Sequence, residues 1–384
     1  MLSRWTFQQR RFVYTFLILF ILYIWRYFNK KSQLIYAKTK TNLNILKQCP
    51  TILKQVFSPT IYLQHAILQS MFATLLPPSN PKLKYKYEEI LMPTGGHTSL
   101  AWPLYNKQSP DPQKIKVLVV VFPGITGSAN DNYIKDLVVS LCKAGYKCVV
   151  YQGRLNGSKL ILPDEGFVDI IKDMKATLEY LIKKDETVKF FGIGHSYGAN
   201  LLLNYLGLFN KETDFIGGIS LANPFNFILG ESKARKSLVN SAIADCLQKA
   251  VHRSKKELAE AIRFGLNLEE LTSYKTVRAF DDNFTRKIYG FETVDEYYWE
   301  FSSCRRFRSV RVPLFMLQAR DDPIAEANAF IKEDIERHNE NIIVMMTPRG
   351  GHQGWIEGLL SLKRWYIKPT LEFLDAVIKT QDIY

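Results

Sequence analysis

At 384 residues and 47% apolar, the chain has the length and composition to bury one large α/β enzyme core with an attachment. Its net charge of +14 is unevenly placed: 13 Lys and Arg, and no acidic residue, precede Glu88, leaving 38 basic and 37 acidic residues from Glu88 onward. A body this close to neutral lacks the basic working face of a nucleic-acid binder, so nucleic acid is excluded as a partner.

In chain order, the first predicted element is the uncharged run from Phe12 to Trp25, with aromatic residues at both ends suited to a headgroup boundary. It is short for a membrane span. Continued through Arg26 to Phe28, with the arginine snorkelling, it reaches the usual length. No small-residue cleavage site follows, so the expectation is an uncleaved, single-pass membrane anchor over residues 1–32, with basic flanks. A helix lying in the interface, or packed on the domain, is the competing reading. Lys and Arg flank both ends, so orientation does not follow; the endoplasmic reticulum or another endomembrane is the expected location. A basic extension over residues 33–83 comes next, and the main domain is read as residues 84–384.

That domain opens with a hairpin, Lys84–Met92 and His97–Pro103 about Thr94-Gly95-Gly96. Lys116–Phe122 is continuous in Val and Leu, as a parallel strand buried on both faces requires. Helix Asp131–Lys143, strand Lys147–Tyr151, helix Asp169–Lys184, strand Val188–Gly192 and strand Phe215–Leu221 continue the alternation, which predicts a mostly parallel central sheet with helices on both faces. From about residue 223 to 310 the pattern changes to charged helical stretches rich in aromatics, read as an inserted helical cap. Phe225, Phe227, Tyr289, Phe291, Tyr297, Tyr298 and Trp299 are its candidate pocket walls. Val312–Leu317 and Asn341–Met346 are the last strands. The five cysteines are odd in number and show neither metal-ligand nor disulfide-framework spacing.

Within this alternation, Gly194-His195-Ser196-Tyr197-Gly198 joins an apolar strand directly to a helix-like run. Gly-x-Ser-x-Gly in that context is the nucleophile elbow of an α/β-hydrolase fold. Two partners follow in the order that fold uses. Asp321 and Asp322 stand at the end of one strand, and the spacing with Pro323-Ile324 favours Asp322 as the acid. His352 lies in a glycine-rich loop after the last strand, where the base belongs, whereas His195 points away from the nucleophile. The predicted roles are Ser196 as nucleophile, His352 as base and then acid, and Asp322 as the group that orients the imidazole. The loop Pro123-Gly124-Ile125-Thr126-Gly127-Ser128 is where an oxyanion donor is expected. The backbone amides of Ile125 and Tyr197 are assigned, with Gly124 or Thr126 as alternatives to Ile125. No metal and no organic cofactor is needed.

Several motifs together resemble the membrane-anchored α/β-hydrolase-domain family of serine lipases and esterases, which includes the ABHD1, ABHD2 and ABHD3 type proteins, the bacterial YheT-like hydrolases and yeast medium-chain ester synthases. They are Ser58-Pro59-Thr60 through His65–Ser70, Phe122–Ser128, Gly194–Leu202, Arg278-Ala279-Phe280-Asp281 with Tyr289-Gly290-Phe291 and Tyr297-Tyr298, Asp321-Asp322-Pro323 and Gly350-Gly351-His352. Phe122 departs from the family's usual histidine, and Tyr197 from a smaller residue. The resemblance implies hydrolysis of lipid acyl esters, such as acylglycerols or phospholipids, through an acyl-enzyme, with medium-chain acyl groups included. It aligns the acid with Asp322. The expected partners are a lipid or small ester substrate and a membrane. Two alternatives are acyl transfer from acyl-CoA to an alcohol by the same triad, and a non-catalytic hydrolase-fold lipid-binding protein.

Overall fold

The apolar runs become strands Gln33–Tyr36 (β1), Tyr85–Leu91 (β2), His97–Pro103 (β3), Val117–Phe122 (β4), Lys147–Gln152 (β5), Lys189–His195 (β6), Phe215–Leu221 (β7), Leu314–Ala319 (β8) and Ile342–Thr347 (β9). In the computed structural model they form one sheet, in the order β1-β9-β8-β7-β6-β4-β5-β3-β2. The structure describes residues 6–28, 30–105, 116–154, 156–157, 162–163, 166–235, 237–256, 258, 264–267, 269–270 and 273–380. Strands β4 to β9 are mutually parallel, while β1 and the β2–β3 hairpin join the two sides antiparallel.

Burial on both faces explains the composition of the central strands. In β4, Val117, Val119 and Val121 enter one core, and Leu118, Val120 and Phe122 enter the other. A strand covered on both sides has no polar face to alternate, so it reads as an unbroken apolar run. The preceding helices are Phe7–Phe28 (α1), Lys40–Lys47 (α2), Pro50–Lys54 (α3) and Ala66–Leu75 (α4), followed by Asn132–Lys143 (α5), Ile170–Lys184 (α6) and Tyr197–Phe209 (α7). Leu137 and Leu141 of α5 share the first core with Phe373 and Leu374 of the C-terminal helix Ile367–Thr380. Met174 and Leu178 of α6 share the second with Leu202 and Leu206 of α7. This is the α/β-hydrolase arrangement, a mostly parallel sheet between two helical layers. Between β7 and β8 the chain leaves the sheet as a set of helices that includes Phe227–Ala234, Leu238–Arg253 and Val294–Phe301.

Two N-terminal features differ from expectation. The segment 33–83, read as an extension ahead of the main domain, supplies the sheet edge: β1 pairs with β9 from Gln33↔Met346 to Tyr36↔Ile343. Ile45, Leu46 and Ile52 of α2 and α3 join the same core as the C-terminal helix. A strand of four residues has too few positions to show a period, which is why its sequence does not announce it. The expected single-pass anchor is corrected. Residues 7–28 form α1, with Phe12, Phe16 and Phe20 exposed, but among the described residues no helix is long and apolar enough to cross a membrane. The uncharged stretch from Phe12 to Trp25 rises about 21 Å at the helical repeat, against a hydrocarbon core of about 30 Å.

Ile35 is only 2% exposed, so Ile35→Ala should lower unfolding stability by about 2–4 kcal/mol in a denaturant titration. An extension lying outside the fold would leave the midpoint unchanged.

Candidate active site

Strand β6 ends and α7 begins around a single residue, Ser196, at φ +51° and ψ −117°. Non-glycine residues hold such a conformation only where the surroundings impose it. The surroundings here are three backbones in contact. A Cβ on Gly194 would lie 2.5 Å from Ala199 Cα, and one on Gly198 would lie 2.3 Å from the Phe122 carbonyl oxygen. Glycine is the side chain that fits at both. The Ser196 N–H donates to the Leu221 carbonyl of the neighbouring strand at 2.8 Å, fixing the turn to the sheet.

Two loops at the same sheet edge bring the partners. His352 Nε2 lies 2.8 Å from Ser196 Oγ, and His352 Nδ1 lies 2.8 Å from Asp322 Oδ2. The other oxygen of Asp322 accepts the N–H groups of Ile324 at 2.8 Å and Ala325 at 2.9 Å, so the carboxylate is held on both sides. All three side chains are buried. Asp321 does something else: it accepts the Gly351 N–H at 2.9 Å, and burial pushes its carboxyl up. The His352 N–H donates to Ser70 Oγ of α4 at 2.8 Å, a contact that the sequence pointed to only through its motif resemblance. His195 turns the other way, edge-on to the rings of Tyr133 and Tyr366, and burial pushes it down to about 3, so it is neutral.

The two residues whose amides are assigned, Ile125 and Tyr197, line one cavity together with Ser196. Tyr197 is the first residue of α7, where an amide has no intrahelical acceptor. In the opposite loop the alternatives are occupied: the Gly124 N–H donates to the Tyr133 hydroxyl at 3.1 Å, and the Thr126 N–H to Asn156 Oδ1 at 2.9 Å. Among the described residues, no acceptor is found for the Ile125 amide. The residues that occupy its neighbours, Tyr133 and Asn156, carried no signal in the sequence because they act across the fold.

Ser196 opens onto an apolar cavity of about 120 Å³, walled by Ile125, Tyr197, Phe227, Ile243, Tyr297 and Tyr298. Of the other candidate walls, Tyr289 and Phe291 line a separate groove with Phe167 and Phe209, Phe225 stacks on Phe330 in the core, and Trp299 is half exposed beneath the Arg305 guanidinium. Two wall residues are acidic, and one of them, Glu231, pairs with Arg235 at 2.8 Å. Asp281, in the wide helical turn Asp281–Thr285, accepts the Thr285 hydroxyl at 2.6 Å and the Tyr298 hydroxyl at 2.9 Å. Burial pushes its carboxyl up to about 6.

Fold and site together define a serine hydrolase of the α/β-hydrolase class, a nucleophile, imidazole and carboxylate in relay beside backbone N–H groups. Residues 113–352 match the family described as serine aminopeptidase, S33 (Hydrolase_4), and the chain belongs to that family. It is similar to phospholipase ABHD3 of Mus musculus, 28% identical over 91% of this chain and 85% of that one. It is also similar to embryogenesis-associated protein EMB8 of Picea glauca, at 30% over 82% and 71% of the two chains. A third relative is a monoacylglycerol lipase of Saccharomyces cerevisiae, 28% identical over 70% of this chain and 62% of that one. These relatives agree with the ABHD-type resemblance of the motifs.

Two measurements test the site's construction. Gly198→Ala should destabilise the fold by about 3 kcal/mol or more in thermal unfolding, since no flexible group can yield to the new Cβ. For Asp281 the folded value lies above the ordinary 3.8, so its stabilising, protonated form is complete below 3.8 and is lost as pH rises through about 6. Asp281→Asn should therefore gain on wild type by about 2 kcal/mol between pH 4 and pH 8 in urea unfolding. Parallel pH profiles would show that the buried carboxyl carries no such penalty.

Proposed function

We propose that this chain hydrolyses lipid acyl esters through an acyl-enzyme formed on Ser196. The observation that carries the reading is the pair of 2.8 Å contacts that links Ser196, His352 and Asp322 at the foot of an apolar cavity. Ser196 Oγ attacks the ester carbon as His352 Nε2 takes its proton, and Asp322 steadies the resulting imidazolium through Nδ1. The carbonyl oxygen becomes an oxyanion between the amides of Ile125 and Tyr197. His352 returns the proton to the departing alcohol, and water then repeats the sequence on the acyl-enzyme. The acyl chain lies along Phe227, Ile243 and the two cap tyrosines, an apolar lining that takes a hydrocarbon chain without stranding a polar group. The relatives named as a phospholipase and a monoacylglycerol lipase support acyl esters of lipids as the substrate class, and hydrolysis rather than transfer to an alcohol.

We assign residues 1–32 to attachment at a membrane surface, an endomembrane such as the endoplasmic reticulum, with α1 lying in the interface. Its exposed aromatics Phe12, Phe16 and Phe20, in an uncharged run too short to span that follows Arg11 and precedes Lys30 and Lys31, support this placement. Residues 223–310 act as the cap over the acyl pocket.

The test is turnover of p-nitrophenyl esters graded from acetate to palmitate. Ser196→Ala should lose activity by about 10⁴-fold or more at every length, and Asp322→Asn by about 10⁴-fold. Asp321→Asn, which leaves the relay intact, should lose far less. Equal activity of wild type and Ser196→Ala would end the reading.

A further inference from the structure

We propose that the outer surface formed by α4 and the hairpin of Ile356–Glu357 (β10) with Lys363–Arg364 (β11) is a lipid-docking face, and that its partner is an anionic bilayer surface. The proposal rests on the lipid-ester reading and adds where the enzyme meets its substrate's source.

Helix α4 has two distinct sides. Gln69 and Ala73 are buried, and Ser70 faces the His352 loop. Leu68, Met71 and Leu75, three and four residues apart, form the opposite side and are exposed. A helix side turned to water is ordinarily polar. The residues just before α4 continue the pattern, with Ile61 and Tyr62 exposed, and at the hairpin tip Leu359 and Leu360 are 63% and 96% exposed.

These side chains belong to one unit. The Thr60 N–H donates to the Ile356 carbonyl at 3.0 Å, and the Thr60 hydroxyl to that of Gly358 at 2.8 Å. The Tyr62 hydroxyl donates to the Leu359 carbonyl at 2.8 Å. The Gln69 amide bonds the backbone of Ile356 in both directions, at 3.2 and 2.7 Å. Isolated surface leucines need no explanation, but seven large apolar side chains on one hydrogen-bonded unit mark an interaction surface.

Charge selects the partner. Lys54, Lys82, Lys84 and Lys86 are exposed in the chain on either side of this unit, and residues 53–86 contain no acid. In the hairpin Lys363 lies opposite Glu357, the single acid there. An apolar face within one-signed basic surroundings suits anionic headgroups over hydrocarbon. A second copy of the chain would set like charges against each other. The exit of α1 agrees with a bilayer: the Ser32 N–H donates to the Gln55 carbonyl at 2.7 Å, so the apolar helix leaves the domain at the head of this same segment.

The test uses the full chain with Leu359→Ser/Leu360→Ser, and separately Met71→Ser/Leu75→Ser. Each is made in wild type and in a Phe16→Asp/Phe20→Asp background that removes apolar side chains from α1. Cosedimentation with phosphatidylcholine vesicles, with and without phosphatidylserine, gives the affinity. Both pairs should weaken binding to the phosphatidylserine vesicles by about tenfold or more in the α1-substituted background, where the face acts alone. Turnover of soluble p-nitrophenyl butyrate should stay within about twofold of wild type, because none of the four substituted residues lines the acyl pocket. Unchanged vesicle affinity in both pairs overturns the proposal. So does a wild-type dimer that the substitutions convert to monomer without loss of vesicle affinity. Failure of the lipid-ester reading shows separately, as absent p-nitrophenyl butyrate turnover by wild type, and leaves cosedimentation to decide the docking face.

Discussion

The rest of the structure depends on a backbone contact. Where β6 runs into α7, Gly198 lies against the carbonyl oxygens of Phe122 and Pro123, and Gly194 lies against Ala199. This contact forces Ser196 into its left-handed geometry, at a cost of order 1–3 kcal/mol that the packed sheet and helix offset. One consequence is that the serine oxygen stands clear of the strand end. A second is that α7 begins at the very next residue, Tyr197, whose amide has no intrahelical acceptor. A third is that the end of β4, which leads into the Ile125 loop, is packed against the elbow. The serine and the two loops that carry the amides proposed as oxyanion donors are therefore held together by one close approach.

The base is fixed from three directions. Asp322 holds the ring, Asp321 holds the Gly351 amide, and Ser70 holds the amide of His352 itself. The adjacent aspartates thus divide the work: one orients the imidazole and the other shapes the loop that carries it. Because Ser70 belongs to α4, the N-terminal part of the chain takes part in setting the position of the base.

What the sequence made legible follows from how local the determinants are. Strands buried on both faces appear as unbroken apolar runs, and the elbow glycines stand within a few residues of the serine they serve. The order of serine, aspartate and histidine is likewise a property of the chain alone. Which amides of the Gly124–Thr126 loop are occupied is not, because Tyr133 and Asn156 reach across the fold to those of Gly124 and Thr126. Nor is the cap phase. Tyr298 faces the pocket while its neighbour Trp299 faces solvent, since adjacent helical positions are about 100° apart and the sequence does not say which one points inward. Asp281 was visible only as part of a motif; its place in an apolar wall depends on the turn that carries it. The helix of α1 does run through Arg26 to Phe28, as the extended run implied, but its uncharged stretch does not reach the length of a membrane span.

The edge pairing of β1 with β9 also orders events in time. Gln33 is synthesised 313 residues before its partner Met346. The pairing of β1 with β9, the strand that leads into the histidine loop, therefore cannot form until β9 itself has left the ribosome. Until then β1 is an unpaired strand, and its buried face, Ile35 included, is open to wrong partners. A contact this distant along the chain also adds to the loop entropy that slows folding. Completing the sheet and completing the catalytic loop are thus late steps of the same process, and a nascent chain lacking its C-terminal segment carries a finished nucleophile elbow with neither base nor closed edge.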